Sequence, residues 1–417
     1  MPDATFGLES AGTPAYVYDL SLIRDAHAQL VASLPAPSEL CYSLKANPHP
    51  AVLALLREAG CRGEVSSTGE LRAALAAGFD PGAILYTGPA KRDTDVRVAI
   101  EAGVREFSVD SPQGIDQLDR ISGGCGITTR CLLRVNAERP VPGAGLAMTG
   151  VPSQFGADLS WVESEPERFG DRANVDVHGL HLYMATNLVD EGSLVDQFCL
   201  AAEVVGRLQS RMGKRFRVVD LGGGFGAPFA CHGELPRFPT LAGRLEELLD
   251  AALAGWRDGA PRVVFESGRF LTATCGRLFT QVLDVKHSHG KRIVVLDSGV
   301  NHLGGMSGLR RLPRISPDLV PLGQPRGAPY DCMVAGPLCT PLDTWARNGQ
   351  LPDVQAGDLL VVPNVGAYAL HASLVLFLGH PLPVEIVVER DIELERSRTA
   401  VLRESAAVSA EPAPVAR

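Results

Sequence analysis

Apolar and polar residues follow two periods along this chain, and the two periods alternate. From residue 37 onward short apolar runs recur: ELCYSLKAN, GEVSS, AILYTGP, REFSVDS, RCLLRVN, VHGLHLYM, RVVDLGGG and RVVFESG. Between them lie stretches such as HPAVLALLREAG, TGELRAALAAG, KRDTDVRVAIEAG and LAGRLEELLDAALAGW, with apolar residues every three or four positions. Several of these end on the glycine expected just past a helix. Strand then helix, eight times over about 230 residues, predicts an α/β fold built on a TIM (β/α)8 barrel. An open doubly wound sheet produces the same alternation and stands as the alternative.

After Arg269 the helical period disappears. RLFTQVLDVKHSHGKRIVVLD reads as two strands joined by a Ser-His-Gly turn, and GDLLVVPNVGAY and PVEIVVERDIEL also read as extended. The expected division is a segment 1–20 whose TPAYVYDL strand joins the β domain, a barrel over 21–270, a C-terminal all-β domain over 271–399, and a mobile tail over 400–417.

The first apolar run sets a chemical question. Leu40, Tyr42 and Leu44 alternate with Cys41, Ser43 and Lys45, and Pro48 predicts that the strand stops just after the lysine. By itself Lys45 reads as a lysine reaching the surface along its apolar stem. At the C-terminal end of the first barrel strand it reads as a nucleophile, because barrel enzymes keep their catalytic groups on that rim. DLGGGFG closes the seventh strand, and Gly222, Gly223 and Gly224 expose backbone N–H groups that let a phosphate approach, although a glycine triplet also marks a plain tight turn. FESGRF closes the eighth with Glu266 and Arg269. A carboxylate there can hold a ring nitrogen protonated and a guanidinium can grip a phosphate, or the two can form an ion pair capping the barrel. Cys339 and Asp343 share the loop AGPLCTPLD, and Tyr368 lies in VGAYAL. A lysine, a phosphate cradle and a carboxylate on one rim point to pyridoxal 5'-phosphate.

Composition narrows the class. The 417 residues exceed one ordinary core, and 45% apolar with 21% charged residues is ordinary for a globular protein. A net charge of −9 without a basic run argues against nucleic-acid binding. Nine cysteines without a C-x-x-C pair fit reduced thiols in the cytoplasm, with no disulfide framework and no metal site. MPDATFGLES has no signal-peptide pattern, and no window approaches a membrane span.

With these motifs in order, the chain resembles the decarboxylase branch of the alanine racemase-fold (fold type III) pyridoxal-phosphate enzymes, which includes diaminopimelate, ornithine and arginine decarboxylases. The resemblance runs from YVYDLSLI to VGAYAL. It implies that Lys45 in YSLKAN carries the cofactor, with Glu64 of GEVSSTGEL near it. It implies that LGGGFG binds the phosphate, and that in E-x-G-R Glu266 faces the pyridine nitrogen while Arg269, after Gly268, lies near the phosphate. It also implies a homodimer with shared sites, in which Cys339 of GPLCTPLD reaches the partner's site and protonates Cα, and it places Tyr368 at the phosphate.

Two departures bear on the substrate. Most members carry H-[IV]-G-S after the sixth strand; here Tyr183 stands for the histidine, with Ala185 and Thr186 for Gly-Ser. A tyrosine can still stack on a ring and a threonine hydroxyl can still bond a phosphate. Diamino-acid decarboxylases usually place an acid after the loop cysteine; here it is Thr340, with Asp343 three residues on as the other candidate substrate contact. The Tyr-for-His exchange and the stretch GAGLAMTGVPSQFGAD resemble the antibiotic and secondary-metabolite branch, where one member type decarboxylates a carrier-protein-bound glutamyl unit. The expected activity is therefore decarboxylation of an amino acid or amino-acyl substrate, with a diamino-acid decarboxylase as the alternative. A racemase needs a second base and is expected to lack the GPxC loop. A non-catalytic binder is expected to lose Lys45, Glu266 or Cys339. A nicotinamide oxidoreductase is expected to place an acidic ribose ligand after GGGFG, and none is suitably placed.

Overall fold

A computed structural model describes residues 7–140, 146–147, 149–304 and 316–403. Strand β1 (Ala15–Asp19) leads directly into α1 (Leu20–Ala32), capped by the Asp19 carboxylate, which accepts the Ser21 N–H at 2.9 Å. Strand and helix then alternate. The pairs are β2 (Glu39–Ser43) with α2 (Pro50–Glu58), β3 (Arg62–Val65) with α3 (Thr68–Ala76), β4 (Ile84–Tyr86) with α4 (Asp93–Glu101), and β5 (Glu106–Val109) with α5 (Pro112–Gly124). They continue with β6 (Thr129–Asn136) and α6 (Leu159–Ser164), β7 (Val175–His181) and α7 (Glu191–Met212), β8 (Val218–Asp220) and α8 (Leu241–Ala252), and β9 (Arg262–Ser267) and the short α9 (Arg269–Thr272). Each of β2–β8 pairs in parallel with the next, and β9 returns to β2 through Glu266 opposite Cys41. The sheet is a closed eight-stranded barrel, so the open-sheet alternative falls.

Closure corrects one local reading. Leu40, Cys41, Tyr42, Ser43 and Leu44 are all buried, because a barrel strand faces side chains inside and helices outside. The strand stops at Ser43, not at the lysine, and Leu44–Ala46 make one 3-10 turn that the Tyr42 hydroxyl closes by donating to the Asn47 carbonyl at 2.8 Å.

The N-terminal end of the barrel is plugged by charge. Glu106 is buried beside Arg62, with Arg262 at 3.3 Å and His178 at 3.1 Å. Burial pushes its carboxyl up, but the adjacent His178 ring and the Arg62 guanidinium hold it down at about 2. Conversely, aromatic side chains from α7 to α9 pack behind the C-terminal rim. Phe198 meets Phe265 edge-on at 5.3 Å, and Phe270 packs on Phe225 and Phe238 at 6.5 and 5.9 Å.

The second sheet joins β1 to the C-terminal half. Strands β10 (Gly276–Ser288) and β11 (Lys291–Leu296) form the expected hairpin around His289 and Gly290, both at positive φ. Beyond them lie β12 (Tyr330–Ala335), β13 (Thr344–Leu351), β14 (Leu359–Val362), β15 (Val384–Glu389) and β16 (Ile392–Ser397). The order is β13-β12-β11-β10-β1-β15-β16, with β14 paired to β10. Strand β1 lies antiparallel to β10 and parallel to β15, so the N-terminal segment is built into this sheet. Most of the expected tail, from residue 404, lies outside the described residues, as does part of GAGLAMTGVPSQFGAD. Among the described residues no helix is long and apolar enough to cross a membrane.

Candidate active site

The turn after β2 projects Lys45 over the C-terminal mouth of the barrel, where Nζ lies 3.0 and 3.2 Å from the two carboxylate oxygens of Glu64 on β3. Glu64 also accepts from the Ser43 hydroxyl and, at 2.8 Å, from Thr87 Oγ1. Burial pushes the Glu64 carboxyl up, but the Lys45 charge and these hydroxyl donors bring it down to about 2. Burial pushes the Lys45 ammonium down, and Glu64, with Tyr368, Glu266 and Tyr183 behind it, more than reverses that. Its side chain is 42% accessible, so the ammonium is both ion-paired and reachable.

The loop after β8 lies against β9 and the start of α7. Gly222 has φ +69° and Gly224 φ +101°, and a Cβ on Gly222 would stand 2.6 Å from the Leu182 carbonyl oxygen. Gly223 abuts the Glu266 carbonyl, and its own carbonyl accepts from Gln197 Nε2 at 2.6 Å. Among the described residues the N–H groups of Gly223 and Gly224 donate to no backbone acceptor. Arg269, the first residue of α9, stacks over the Tyr368 ring at 4.8 Å, and its Nε is buried with no hydrogen-bond partner among the described residues. No ion pair joins it to Glu266 there, so the barrel-capping alternative is not what the fold builds. Gly268 before it packs so tightly that a Cβ would meet Ala46 Cβ at 2.8 Å. Tyr368 reaches the rim because its N–H donates to the Ala46 carbonyl at 2.8 Å, while Asn47 Nδ2 donates to the Gly366 carbonyl at 2.9 Å. These two bonds tie the loop after β14 to the lysine turn.

Glu266, at the end of β9, sits in the barrel interior with two groups not foreseen from sequence, His181 and Asp220. His181 Nε2 is 3.4 Å from Glu266 Oε1, and its Nδ1 is 2.8 Å from Ser108 Oγ. Burial pushes His181 well below the ordinary histidine range and pushes Glu266 well above the carboxylate range. Tyr183 packs over Gly222 and faces the Arg134 guanidinium at 5.9 Å, whose other neighbour is the Phe155 ring at 4.7 Å. Thr186 lies on a two-residue ladder opposite Leu146. Ser43, Thr87, Ser108, Arg134, His181 and Asp220 were absent from the expected site. The signals available were an acid two residues before the glycine triplet and polar residues closing the neighbouring strands.

The loop between β12 and β13 stands apart. Cys339 is exposed, and among the described residues no hydrogen bond links it to Lys45, Glu64 or Glu266. Thr340 is partly buried, donates its N–H to the Leu338 carbonyl at 2.7 Å, and its Oγ1 accepts the Leu342 N–H at 3.3 Å. Asp343 is buried, and its carboxylate accepts the Val300 N–H at 2.8 Å and the Leu338 N–H at 2.7 Å, which holds the loop.

The fold and this rim define a barrel enzyme that works through a lysine, a glycine cradle and a buried carboxylate. The family model described as "Pyridoxal-dependent decarboxylase, pyridoxal binding domain" matches residues 20–273. The L-glutamyl-[BtrI acyl-carrier protein] decarboxylase of Niallia circulans is 30% identical over 385 residues, covering 90% of this chain and 88% of that one. The diaminopimelate decarboxylase of Aquifex aeolicus is 29% identical over 395 residues, covering 94% and 90%. In fold, the chain is similar to the crystal structure of diaminopimelate decarboxylase from Helicobacter pylori complexed with L-lysine, with a TM-score of 0.81, 23% identity and 94% of each chain covered. The chain belongs to the pyridoxal-dependent decarboxylases, a family of carboxy-lyases, and pyridoxal 5'-phosphate is its cofactor. The residues present fit that group. Two N–H groups and an unpartnered guanidinium edge suit a phosphate, and the buried Glu266 carboxyl suits a ring nitrogen.

Proposed function

We propose that this enzyme decarboxylates an amino-acyl substrate without a free distal ammonium, a glutamyl unit carried on an acyl-carrier protein, in an antibiotic or other specialised biosynthetic pathway. One observation carries the reading: the Cys339 loop offers Thr340, which is neutral, and Asp343, whose carboxylate already accepts two backbone N–H groups. Asp343 is buried and already holds two N–H groups, so the loop offers a distal ammonium no exposed carboxylate, and burying an ammonium unpaired is costly. The similarity to the carrier-protein-linked glutamate decarboxylase of Niallia circulans supports the same reading.

In this proposal Lys45 holds the cofactor and the backbone of Gly222–Gly224 with Arg269, Tyr368 and Thr186 holds its phosphate. Tyr183 stacks on the ring and Glu266 faces the ring nitrogen. The bound cofactor supplies a sink for the electron pair left on Cα when carbon dioxide departs. The partner subunit's Cys339 returns a proton to Cα. A homodimer is supported by an exposed apolar patch around the Cys339 loop. Leu342, Leu374, Leu376 and Phe377 are 78, 49, 69 and 45% exposed, and both of their segments hang on Val300, whose N–H goes to Asp343 and whose carbonyl accepts from Leu374. Nine free cysteines support a reducing, cytoplasmic setting. The two sheets support a division into a cofactor-binding unit over 21–270 and a β unit over 271–399 that takes in the first 20 residues.

The test is kcat/KM for the carrier-bound glutamyl thioester against free diaminopimelate, ornithine and lysine. The thioester is expected to win by at least about 100-fold, a floor below the scale on which an unpaired buried polar group discriminates. A preference for any diamino acid, kept in Thr340→Ala, overturns the reading.

A further inference from the structure

Behind Glu266 lies a group of polar side chains that the expected chemistry does not use. His181, Asp220 and Glu266 are 1, 0 and 1% exposed, and their polar atoms lie within 4.8 Å of one another. Each has one atom with no hydrogen-bond partner among the described residues: His181 Nε2, Asp220 Oδ2 and Glu266 Oε1. The other Asp220 oxygen accepts the Gly222 N–H at 2.8 Å, which fixes the carboxyl in place and turns its free oxygen toward the cluster. Two carboxylates so close and so dry cannot both be ionised, because each raises the cost of charging the other.

We propose that Asp220 is a positioning residue that shares one proton with Glu266, so that the pair carries a single negative charge behind the ring nitrogen, a role that rests on the cofactor reading of the site. Burial pushes Asp220 up to about 7 and Glu266 well above its ordinary range, as the shared proton requires. The groups facing the pair are Lys45, Glu64, Arg62, Arg134, Cys41, His181, Tyr183 and Tyr368. Glu64 is ionised and repels a second charge, whereas Lys45, Arg62 and Arg134 oppose it, and His181, held neutral by burial, adds none. Between its first and second deprotonations such a pair carries one negative charge, and that charge is set by both carboxyls together rather than by Glu266 alone.

The proton is directly visible in the cofactor-free protein, where its fate does not depend on activity. Above pH 6 exposed carboxyls are ionised, so the infrared C=O stretch of protonated carboxyls reports the abnormal ones, and difference spectra against Asp220→Asn and Glu266→Gln isolate this pair. Wild type should show a band that persists above pH 6. In each variant the last deprotonation should fall by at least about one pH unit, because the remaining carboxyl has lost its charged neighbour. A thermal melt of each variant checks folding, and Asp220→Ser, which keeps a small polar group, stands in if Asp220→Asn does not fold. No band above pH 6 in wild type, or an unmoved midpoint in Asp220→Asn, overturns the proposal. Cofactor affinity measured separately on the same wild-type sample distinguishes failure of the cofactor reading from failure of the shared proton.

Discussion

Lys45 and Glu64 illustrate how a residue acquires a role from its neighbours. A lysine at a barrel mouth is ordinary until a buried carboxylate, itself held ionised by Ser43 and Thr87, fixes its ammonium 3.0 Å away. Lys91 is the instructive rival. Burial lowers its ammonium to about 8, which makes it the better free nucleophile at neutral pH, yet it is tied to the carbonyls of Gly88 and Ser108 at 2.6 Å each. Borohydride reduction of the loaded protein and peptide mapping should therefore place the pyridoxyl group on Lys45. A label on Lys91 would contradict the assignment. At this scale the sequence shows what ends a strand, so Lys45, Gly222–Gly224, Glu266 and Arg269 were legible. It does not show which side chains converge once a sheet closes, so His181, Asp220 and Arg134 were not. For Asp343 the sequence displays a charge and hides the two backbone N–H groups that the carboxylate accepts.

The glycine loop works as an element because backbone lies where side chains cannot. Gly223→Ala would drive a Cβ into the Glu266 carbonyl, displacing the loop and the end of β9 together. It should weaken cofactor binding at least about tenfold and cost about 1–3 kcal/mol of stability. Gly206→Ala is the contrast: it lies in α7 with nothing near the added methyl, and should leave binding unchanged while gaining about 0.5–1 kcal/mol. Fluorescence titration with the cofactor and urea unfolding of both variants measure this; wild-type binding by Gly223→Ala would deny the loop its role. Elements with a strong period were legible, as all eight barrel strands were. Strand β13 was not, because in Thr344–Leu351 only Trp345 and Leu351 are buried, and a strand with little to bury leaves no alternation.

At the scale of the molecule, Lys45 and Cys339 of one chain belong, in our proposal, to two different sites. Lys45 and Glu266 lie at the barrel mouth, and Cys339 projects from the other sheet beside exposed Leu342, Leu374, Leu376 and Phe377. A two-fold dimer brings a surface to its own copy twice, so the contact that buries this patch can complete two sites at once. This was legible only as a family expectation, since a single chain's periodicity says nothing about its partner. The central claim, that Lys45 of one chain works with the partner subunit's Cys339, is tested by mixing inactive Lys45→Ala and Cys339→Ala proteins under conditions of proven subunit exchange. Half the dimers are then mixed, each with one intact site, so about a quarter of wild-type decarboxylation should return. No recovery would mean that Lys45 and Cys339 do not share a site across two chains.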